Sequence, residues 1–311
     1  MILWILKINK SDNMNINTDI GIKLENPFML ASGILDENGY TMERILNNGA
    51  SSAVTKSIGI DERKGFDPPV IYHDENYVIN AIGLSNPGIG SFKDEIEIAL
   101  RSGKPVIGSI FGKDAEEFSL LAKKMESYNV SAIELNLSCP HVNGYGLEVG
   151  SDPDLVSEIV SEVKSKVSIP VFSKLSPNTS DIIEEAKAAD KSDALVLINT
   201  VKAMKIDIHA RKPVLSNVYG GLSGRSIKPV GVRYVYEIKK ELNKKIIGVG
   251  GIENIDDAIE YIMAGASAVQ IGSVIYKYGI NIFNKLNNDL NEFFIKNDIN
   301  DIKDIIGVAI K

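Results

Sequence analysis

The chain has 311 residues, of which 44% are hydrophobic and 24% charged, and its formal net charge is −7 at pH 7. This composition supports a large folded core and excludes a disordered protein. The acidic balance, without a basic stripe interleaved with aromatic residues, argues against nucleic acid as a partner. A single cysteine excludes an internal disulfide framework and an iron–sulfur cluster held by four cysteines of this chain. We therefore expect a cytoplasmic protein.

The first segment, residues 1–13, begins with an apolar run. It has neither the basic start and cleavage site of a signal peptide nor the length of a membrane-spanning helix. Met14 offers a second start, so we expect residues 1–13 to be a non-essential extension and residues 14–311 to form a single domain. Residues 16–24 alternate around Asp19 and Gly21, which is typical of a pair of short strands.

Short apolar runs then alternate with amphipathic segments along the chain. The runs are typical of parallel strands buried on both faces, and helix-capping residues open several of the amphipathic segments. Eight strand–helix units predict an α/β fold, a closed TIM (β/α)8 barrel. A doubly wound sheet is the alternative, but the glycine fingerprint expected after its first strand is missing. The predicted strands are 28–31, 53–55, 106–109, 132–137, 171–175, 194–198, 246–249 and 268–271, and the clearest helices are 115–128, 153–166, 180–189, 230–242 and 255–264.

Two connections, residues 56–105 and 199–229, are much longer than ordinary turns. Barrel enzymes elaborate the loops that follow their strands, and long loops in compact domains usually carry function. We therefore expect both connections to cover the active face, the alternative being that they are decorative insertions.

Glycine-containing pairs follow the last two predicted strands, Gly250-Gly251 after the seventh and Gly272-Ser273 after the eighth. Barrels often hold phosphate at this place, because glycines let backbone N–H groups approach an anion near a helix N-terminus. Such pairs also punctuate strands without binding anything. Their occurrence after both strands favours a phosphate site.

Two lysines stand at strand ends, Lys56 after the second strand and Lys174 within the fifth. A lysine in an apolar strand needs a partner, so Lys174 indicates an anionic or electron-accepting ligand. The structural alternative is a side chain that extends to the rim of the barrel.

The only cysteine, Cys139, follows the fourth predicted strand directly, before a loop rich in Pro, Asn and Gly. At the mouth of a barrel a thiol can accept a proton, although many lone cysteines are inert fillers. His73 and His209 have no cysteine or histidine neighbour at metal-ligand spacing, so no metal site is expected.

Ten motifs in order make the chain resemble the class 1 dihydroorotate dehydrogenases, FMN enzymes that oxidise dihydroorotate to orotate in pyrimidine (UMP) biosynthesis. The resemblance covers residues 16–276. The motifs are A-S-G at Ala31, T-K-S at Thr55, N-A-I-G-L-S-N-P-G at Asn80, N-L-S-C-P at Asn136, K-L-S-P-N at Lys174, I-N-T at Ile198, R-K-P-V-L-S-N at Arg211, G-G-L-S-G at Gly220, G-G-I at Gly250 and I-G-S at Ile271.

The resemblance implies a set of ligand contacts on this chain. The residues expected to contact FMN are Ser32, Lys56, Ser57, Asn136, Lys174, Ile198, Gly224, Gly250, Gly251, Gly272 and Ser273. Those expected to bind the substrate are Lys56, Asn80, Ala81, Ile82, Gly83, Leu84, Asn136, Asn199 and Thr200. The amides in this second set suit a planar ring of alternating carbonyl and N–H groups.

The resemblance also implies the catalytic roles. Cys139 would be the base that takes the proton, and Lys174 would stabilise the negative charge of reduced FMN. The loop 140–150 would close over the thiol, with Gly144 and Gly146 as hinges. Two residues depart from the commonest pattern, since His141 and Ser109 stand where many members have asparagine.

The motifs at Asn80 and Gly220 resemble class 1B more than class 1A, whose members use fumarate. Class 1B members pass electrons to NAD through a second subunit that carries FAD and a [2Fe-2S] cluster, in a heterotetramer built on a homodimer. This chain has neither cluster ligands nor a dinucleotide fingerprint, so NAD chemistry would take place on that partner. Two other functions remain open: a related FMN barrel acting on another pyrimidine, and a flavin-free phosphate-binding barrel.

Overall fold

The computed structural model describes residues 14–137 and 147–311, and its centre is a closed barrel of parallel strands. Each strand pairs with the next one along the chain, and the last pairs with the first. The predicted (β/α)8 barrel is thereby confirmed, and each predicted strand corresponds to one strand of the barrel. The strands are β1 (Phe28–Leu30), β2 (Ser52–Val54), β3 (Val106–Ile110), β4 (Ala132–Asn136), β5 (Val171–Lys174), β6 (Ala194–Leu197), β7 (Lys245–Val249) and β8 (Ala268–Ile271).

A helix follows each strand before the next one begins or the chain ends, and several helices begin where the sequence places a capping residue. The Asp114 side chain accepts a hydrogen bond from the Glu117 backbone N–H, and Asp152 and Asp181 act in the same way. The helices are α1 (Gly39–Asn47), α2 (Lys93–Leu100), α3 (Ala115–Glu126), α4 (Pro153–Lys166), α5 (Ile182–Ala188), α6 (Lys228–Glu241), α7 (Ile255–Met263) and α8 (Ile282–Asn297). Shorter helical turns are Ile89–Ser91, Leu147–Gly150, Arg225–Ile227, Ile275–Tyr278 and Ile302–Asp304.

A small antiparallel hairpin, Thr18–Asp19 with Lys23–Leu24, closes the N-terminal end of the barrel. Its Ile20 and Leu24 are buried in one apolar cluster with Ile107 and Phe172, whose side chains fill the barrel interior. Burying these side chains removes apolar surface from water and ties the hairpin to the strands. The predicted N-terminal strand pair is therefore present, and residues 1–13 lie outside the described residues.

The two long connections build a second sheet together. Its antiparallel strands, in spatial order, are Val201–Met204, Tyr219–Ser223, Val78–Asn80 and Ile71–His73. The two connections meet where Gly221 pairs with Asn80. At Gly220 a Cβ would lie 2.7 Å from the Asn80 carbonyl oxygen, so a side chain there would force the strands apart. Two further strand pairs are Glu62–Arg63 with Asn86–Pro87 and Ile206–Asp207 with Lys212–Pro213.

The ends of the described chain also pack on the barrel. The Asn15 backbone N–H donates to the Asn300 carbonyl at 2.8 Å, and its side chain donates to Asp301 at 2.8 Å. Helix α8 buries Phe283, Leu286 and other apolar residues against the core. Across residues 14–137 and 147–311, no helix combines the length and the apolar character that crossing a bilayer requires.

Candidate active site

A cavity of about 240 Å³ opens at the C-terminal ends of the barrel strands. Its walls come from segments that follow β1, β2, β6, β7 and β8, together with the second sheet, and its floor includes side chains of β4 and β5. Both long connections contribute, with Asn80 from one and Gly224 from the other. The prediction that they cover the active face is confirmed.

The cavity brings together the residues that the resemblance assigns to FMN: Ser32, Lys56, Ser57, Asn136, Lys174, Ile198, Gly224, Gly250, Gly251, Gly272 and Ser273 all line it. From the substrate set, Asn80, Ile82, Gly83, Leu84, Asn199 and Thr200 also line it, with Lys56 and Asn136 shared between the two sets.

Ala81 differs from the rest of the substrate set. Its side chain is fully buried in a cluster with Ile79 and Leu215, away from the cavity lining. Side chains alternate between the two faces of an extended segment, so Asn80 and Ile82 face the cavity while the residue between them faces the protein. Ala81 is instead anchored by its backbone N–H, which donates to the Val70 carbonyl at 2.8 Å.

Cys139 and His141 lie outside the described residues, in the segment that follows the end of β4 at Asn136. Asn136 itself is buried and lines the cavity. Within the described ranges, no group of three His, Cys, Asp or Glu side chains is arranged to hold a metal ion.

Lys174 lies at the cavity floor with a carboxylate partner inside the barrel. Its Nζ lies 3.5 Å from Glu134 Oε1 and 3.5 Å from Gln270 Oε1. Gln270 in turn donates to Glu134 Oε2 at 2.7 Å. The sequence argument required a partner for a lysine in an apolar strand but overlooked Glu134, an acid in the equally apolar strand β4.

Lys56 lies at the rim of the cavity and is less buried. Its Nζ lies 3.2 Å from Glu37 Oε2, and the Glu37 side chain is 69% exposed. An ion pair with so exposed a partner is weak, because water screens it. An anion entering the cavity can therefore replace Glu37 at this ammonium group.

A chain of hydroxyl groups orients Asn136. Its Nδ2 donates to Ser57 Oγ at 2.9 Å, and Ser57 Oγ lies 2.8 Å from Ser109 Oγ. Ser109 is fully buried and does not line the cavity. Its backbone N–H donates to Thr55 Oγ1 at 3.0 Å. Ser109, which stands where many family members have asparagine, thus contacts Ser57 and not the cavity.

Asn178 holds the segment that carries Asn199 and Thr200. Its Nδ2 donates to the Thr200 carbonyl at 2.9 Å, and its Oδ1 accepts from the Lys202 N–H at 2.7 Å. The Asn199 N–H donates to the Leu175 carbonyl at 3.0 Å. Sequence reasoning included Asn178 in a motif but assigned it no role, because Thr200 and Lys202 are more than twenty positions away.

Side chains outside the cavity lining hold the glycine segment after β7 in place. Tyr261 donates its hydroxyl hydrogen to the Gly250 carbonyl at 2.8 Å. Asp257 accepts from the Glu253 N–H at 3.0 Å and forms an ion pair with Lys228 at 2.7 Å. Gly251 has a φ of +71°, and a Cβ there would lie 2.8 Å from the Gly224 carbonyl oxygen. Only glycine fits this position, which leaves its backbone open to the cavity.

Comparison with known proteins agrees with this geometry. The family model for dihydroorotate dehydrogenase matches residues 15–294. The chain belongs to the dihydroorotate dehydrogenase family. Relatives named "Dihydroorotate dehydrogenase B (NAD(+)), catalytic subunit" confirm the class, 1B, predicted from the motifs.

Three of these relatives come from different archaea. The protein of Thermoplasma acidophilum is 66% identical over 291 residues, which are 94% of this chain and 97% of the relative. That of Methanocaldococcus jannaschii is 48% identical over 295 residues, 93% of this chain and 96% of the relative. That of Pyrococcus furiosus is 46% identical over 301 residues, 96% of this chain and 100% of the relative.

A buried carboxyl group supports the loop after β1 in this dehydrogenase-family barrel. Asp36 is 2% exposed, and its Oδ2 accepts from the Gly33 N–H at 2.5 Å. Burial raises the pKa of Asp36 to about 6, and the hydrogen bond from Gly33 and the charge of Lys56 offset only part of this effect. The folded protein therefore holds this proton at a pH where the unfolded chain has lost it.

We predict that the free energy of unfolding of the Asp36→Asn variant increases relative to that of the parent as the pH rises. Below about pH 4 the carboxyl is protonated in both states, and from there to about pH 6 the unfolded parent ionises first. The parent thereby loses stability on the order of 3 kcal/mol, a loss that the variant avoids. Denaturant unfolding at pH 4, 6 and 8 measures this. A difference between variant and parent that is the same at all three values would contradict the prediction.

Proposed function

We propose that the chain is the catalytic subunit of a class 1B dihydroorotate dehydrogenase, which oxidises dihydroorotate to orotate in pyrimidine biosynthesis with bound FMN. One observation carries the proposal. The residues expected to contact flavin and, apart from Ala81, those expected to contact substrate converge on one cavity, although they come from separate parts of the chain. The family is flavin-dependent, which agrees with this arrangement.

The residues present fit FMN. The glycine segments after β7 and β8 expose backbone at one side of the cavity, as a phosphate requires. At Gly272 a Cβ would meet only the Ala31 Cβ, at 3.6 Å, so the missing side chain leaves open space. Ile198 and Val249 offer apolar surface, while Lys174 and Gln270 offer polar atoms, as a ring system with one polar edge requires.

The substrate would lie on the side of Lys56 and the second sheet. Lys56 is the cation suited to the substrate carboxylate, taking it in place of Glu37. Asn80, Asn136 and Asn199 supply amide donors and acceptors for the ring carbonyl and N–H groups. A pyrimidine without the carboxylate would leave Lys56 without its ligand, which argues against that alternative function.

Desaturation removes a proton from one carbon and a hydride, which is a hydrogen with two electrons, from its neighbour. Bound FMN supplies the two-electron acceptor. The chain supplies the base, Cys139, which takes the proton on its sulfur. Asn136, oriented through Ser57, holds the ring, and the ammonium group of Lys174 offsets the negative charge that develops in the cavity.

We further propose a separate electron-transfer subunit, with FAD and a [2Fe-2S] cluster, that delivers electrons to NAD from a homodimeric catalytic core. The names of the relatives include NAD and a catalytic subunit, which supports this division of labour. One cysteine cannot hold such a cluster. A cluster on the path to NAD would therefore lie on a partner subunit.

The first test concerns the cofactor and the substrate. The purified chain should be yellow and should release one FMN, not FAD, on denaturation. Dihydroorotate should bleach the flavin without oxygen, and dihydrouracil, which lacks the carboxylate, should not. Release of FAD or of no flavin from a folded preparation refutes the cofactor, and bleaching by dihydrouracil alone would assign the barrel to another pyrimidine.

The second test concerns the partner. Alone, the chain should oxidise dihydroorotate with an artificial dye and should reduce NAD negligibly, because its sequence has neither a dinucleotide fingerprint nor the cysteines for a cluster. Steady-state rates with both acceptors measure this. Fast NAD reduction by the isolated chain would rule out the need for a second subunit.

The third test concerns Cys139. Cys139→Ala should keep its FMN, while reduction of the flavin by dihydroorotate slows by roughly 10²–10⁴-fold, the usual contribution of a positioned general base. Cys139→Ser should also be slow near neutral pH and should recover in part as the pH rises. Anaerobic stopped-flow bleaching isolates this step from the acceptor. A wild-type rate in the Ala variant would show that the thiol is not the base.

A further inference from the structure

Three polar side chains from three strands meet inside the barrel. Glu134 of β4 is fully buried, Gln270 of β8 is 1% exposed and Lys174 of β5 is 6% exposed. Gln270 and Lys174 line the cavity, whereas Glu134 lies behind them. A carboxylate taken out of water is costly unless it is paired and hydrogen-bonded. Its presence at this depth calls for a role.

The three groups are oriented in a definite way. Gln270 donates its Nε2 hydrogen to Glu134 Oε2 at 2.7 Å, which turns its own Oε1 toward Lys174 Nζ, 3.5 Å away. The other carboxylate oxygen, Glu134 Oε1, lies 3.5 Å from the same Nζ and has no hydrogen bond in the described part of the chain. Gln270 therefore fixes which carboxylate oxygen faces the lysine.

Both contacts of Lys174 are longer than the 2.7–2.9 Å, roughly, of a charge-assisted hydrogen bond. The ammonium group is thus balanced in charge by Glu134 without being tied to it. Its N–H donors stay available to a group in the cavity. In a buried site with low dielectric, the charge of Glu134 also acts on the ammonium group with little screening.

From this arrangement we propose that Glu134 is a positioning residue that lowers the reduction potential of the bound flavin by offsetting the charge of Lys174, with Gln270 holding the carboxylate in place. The inference rests on the proposed function, since it takes FMN as the group in the cavity. A lone ammonium group would stabilise the negative reduced flavin most strongly. The carboxylate behind it moderates this effect, which favours passing the electrons on.

The test begins with Glu134→Gln, which removes the charge and keeps the shape. The midpoint potential of the bound flavin, measured by spectroelectrochemistry at neutral pH, should become more positive, and FMN content should stay close to that of the parent. The matched control is Glu185→Gln. Glu185 is a second buried carboxyl group, on α5, outside the cavity lining, and one of its oxygens also lacks a hydrogen bond in the described residues. Its replacement should leave the potential unchanged.

A double-mutant cycle with Lys174→Met asks whether Glu134 acts through the lysine. In that background Glu134→Gln should produce no further shift of the potential, because the charge that it offsets is gone. An unchanged or more negative potential in the single variant overturns the proposal. So does an equal shift in both backgrounds, because the carboxylate would then act without the lysine.

Thermal unfolding of the flavin-free protein provides a readout that does not depend on FMN. Glu134→Gln alone leaves a buried cation unpaired and should lower Tm, while the double variant carries neither charge of the pair and should recover. Should the single variant fail to fold, recovery of folding in the double variant supports the pairing, and failure of both overturns it. Absence of flavin from the parent protein would refute the proposed function and leave this comparison intact.

Discussion

The pairing of β8 with β1 is the constraint on which the site depends. Ile271 pairs with Leu30, and the Ala31 N–H donates to the Ile271 carbonyl at 3.0 Å. Because every strand is parallel, this closure gathers the C-terminal ends of all the strands at one rim. Gly272 and Ala31, about 240 positions apart in the chain, become neighbours there, and the glycine segments face the residues that follow β1.

Closure also buries the charged cluster. The side chains of Glu134, Lys174 and Gln270 point inward from β4, β5 and β8, so they meet only when the barrel is complete. Apolar side chains, including Ile107 and Phe172, fill the interior nearer the N-terminal end of the barrel. The barrel interior is thus apolar toward the N-terminal ends of the strands, where it stabilises the fold, and polar toward their C-terminal ends, where it meets the cavity. This division explains how an acid can be fully buried in a stable protein.

The second sheet turns an open barrel mouth into a lined cavity. Its strands come from both connections and lie more than a hundred positions apart in the chain, and they join where Gly221 pairs with Asn80. Asn178 anchors the second connection to the loop after β5. Lys56 stays at the rim with an exposed partner, so the cation expected to bind the substrate is accessible. The barrel and the second sheet thus each position some of the residues that line the cavity.

The sequence by itself determined the barrel, because buried parallel strands read as short apolar runs and the helices begin at capping residues such as Asp114 and Asp152. It also determined the glycine segments and the two long connections, which stand out without any knowledge of contacts. The very short strands, such as Glu62–Arg63, carry too few residues to show a period.

Only the tertiary structure decided the partners of these residues. Glu134 and Gln270 around Lys174, Asn178 beneath Thr200 and the raised pKa of buried Asp36 depend on which strands and loops meet in space. Ala81, between two residues that face the cavity, is buried on the opposite side of its segment against Ile79 and Leu215, and this depends on which face of the segment is covered. Local patterns follow from the chain's own geometry, whereas pairing and burial depend on residues far along the chain, and closure of the barrel brings those together.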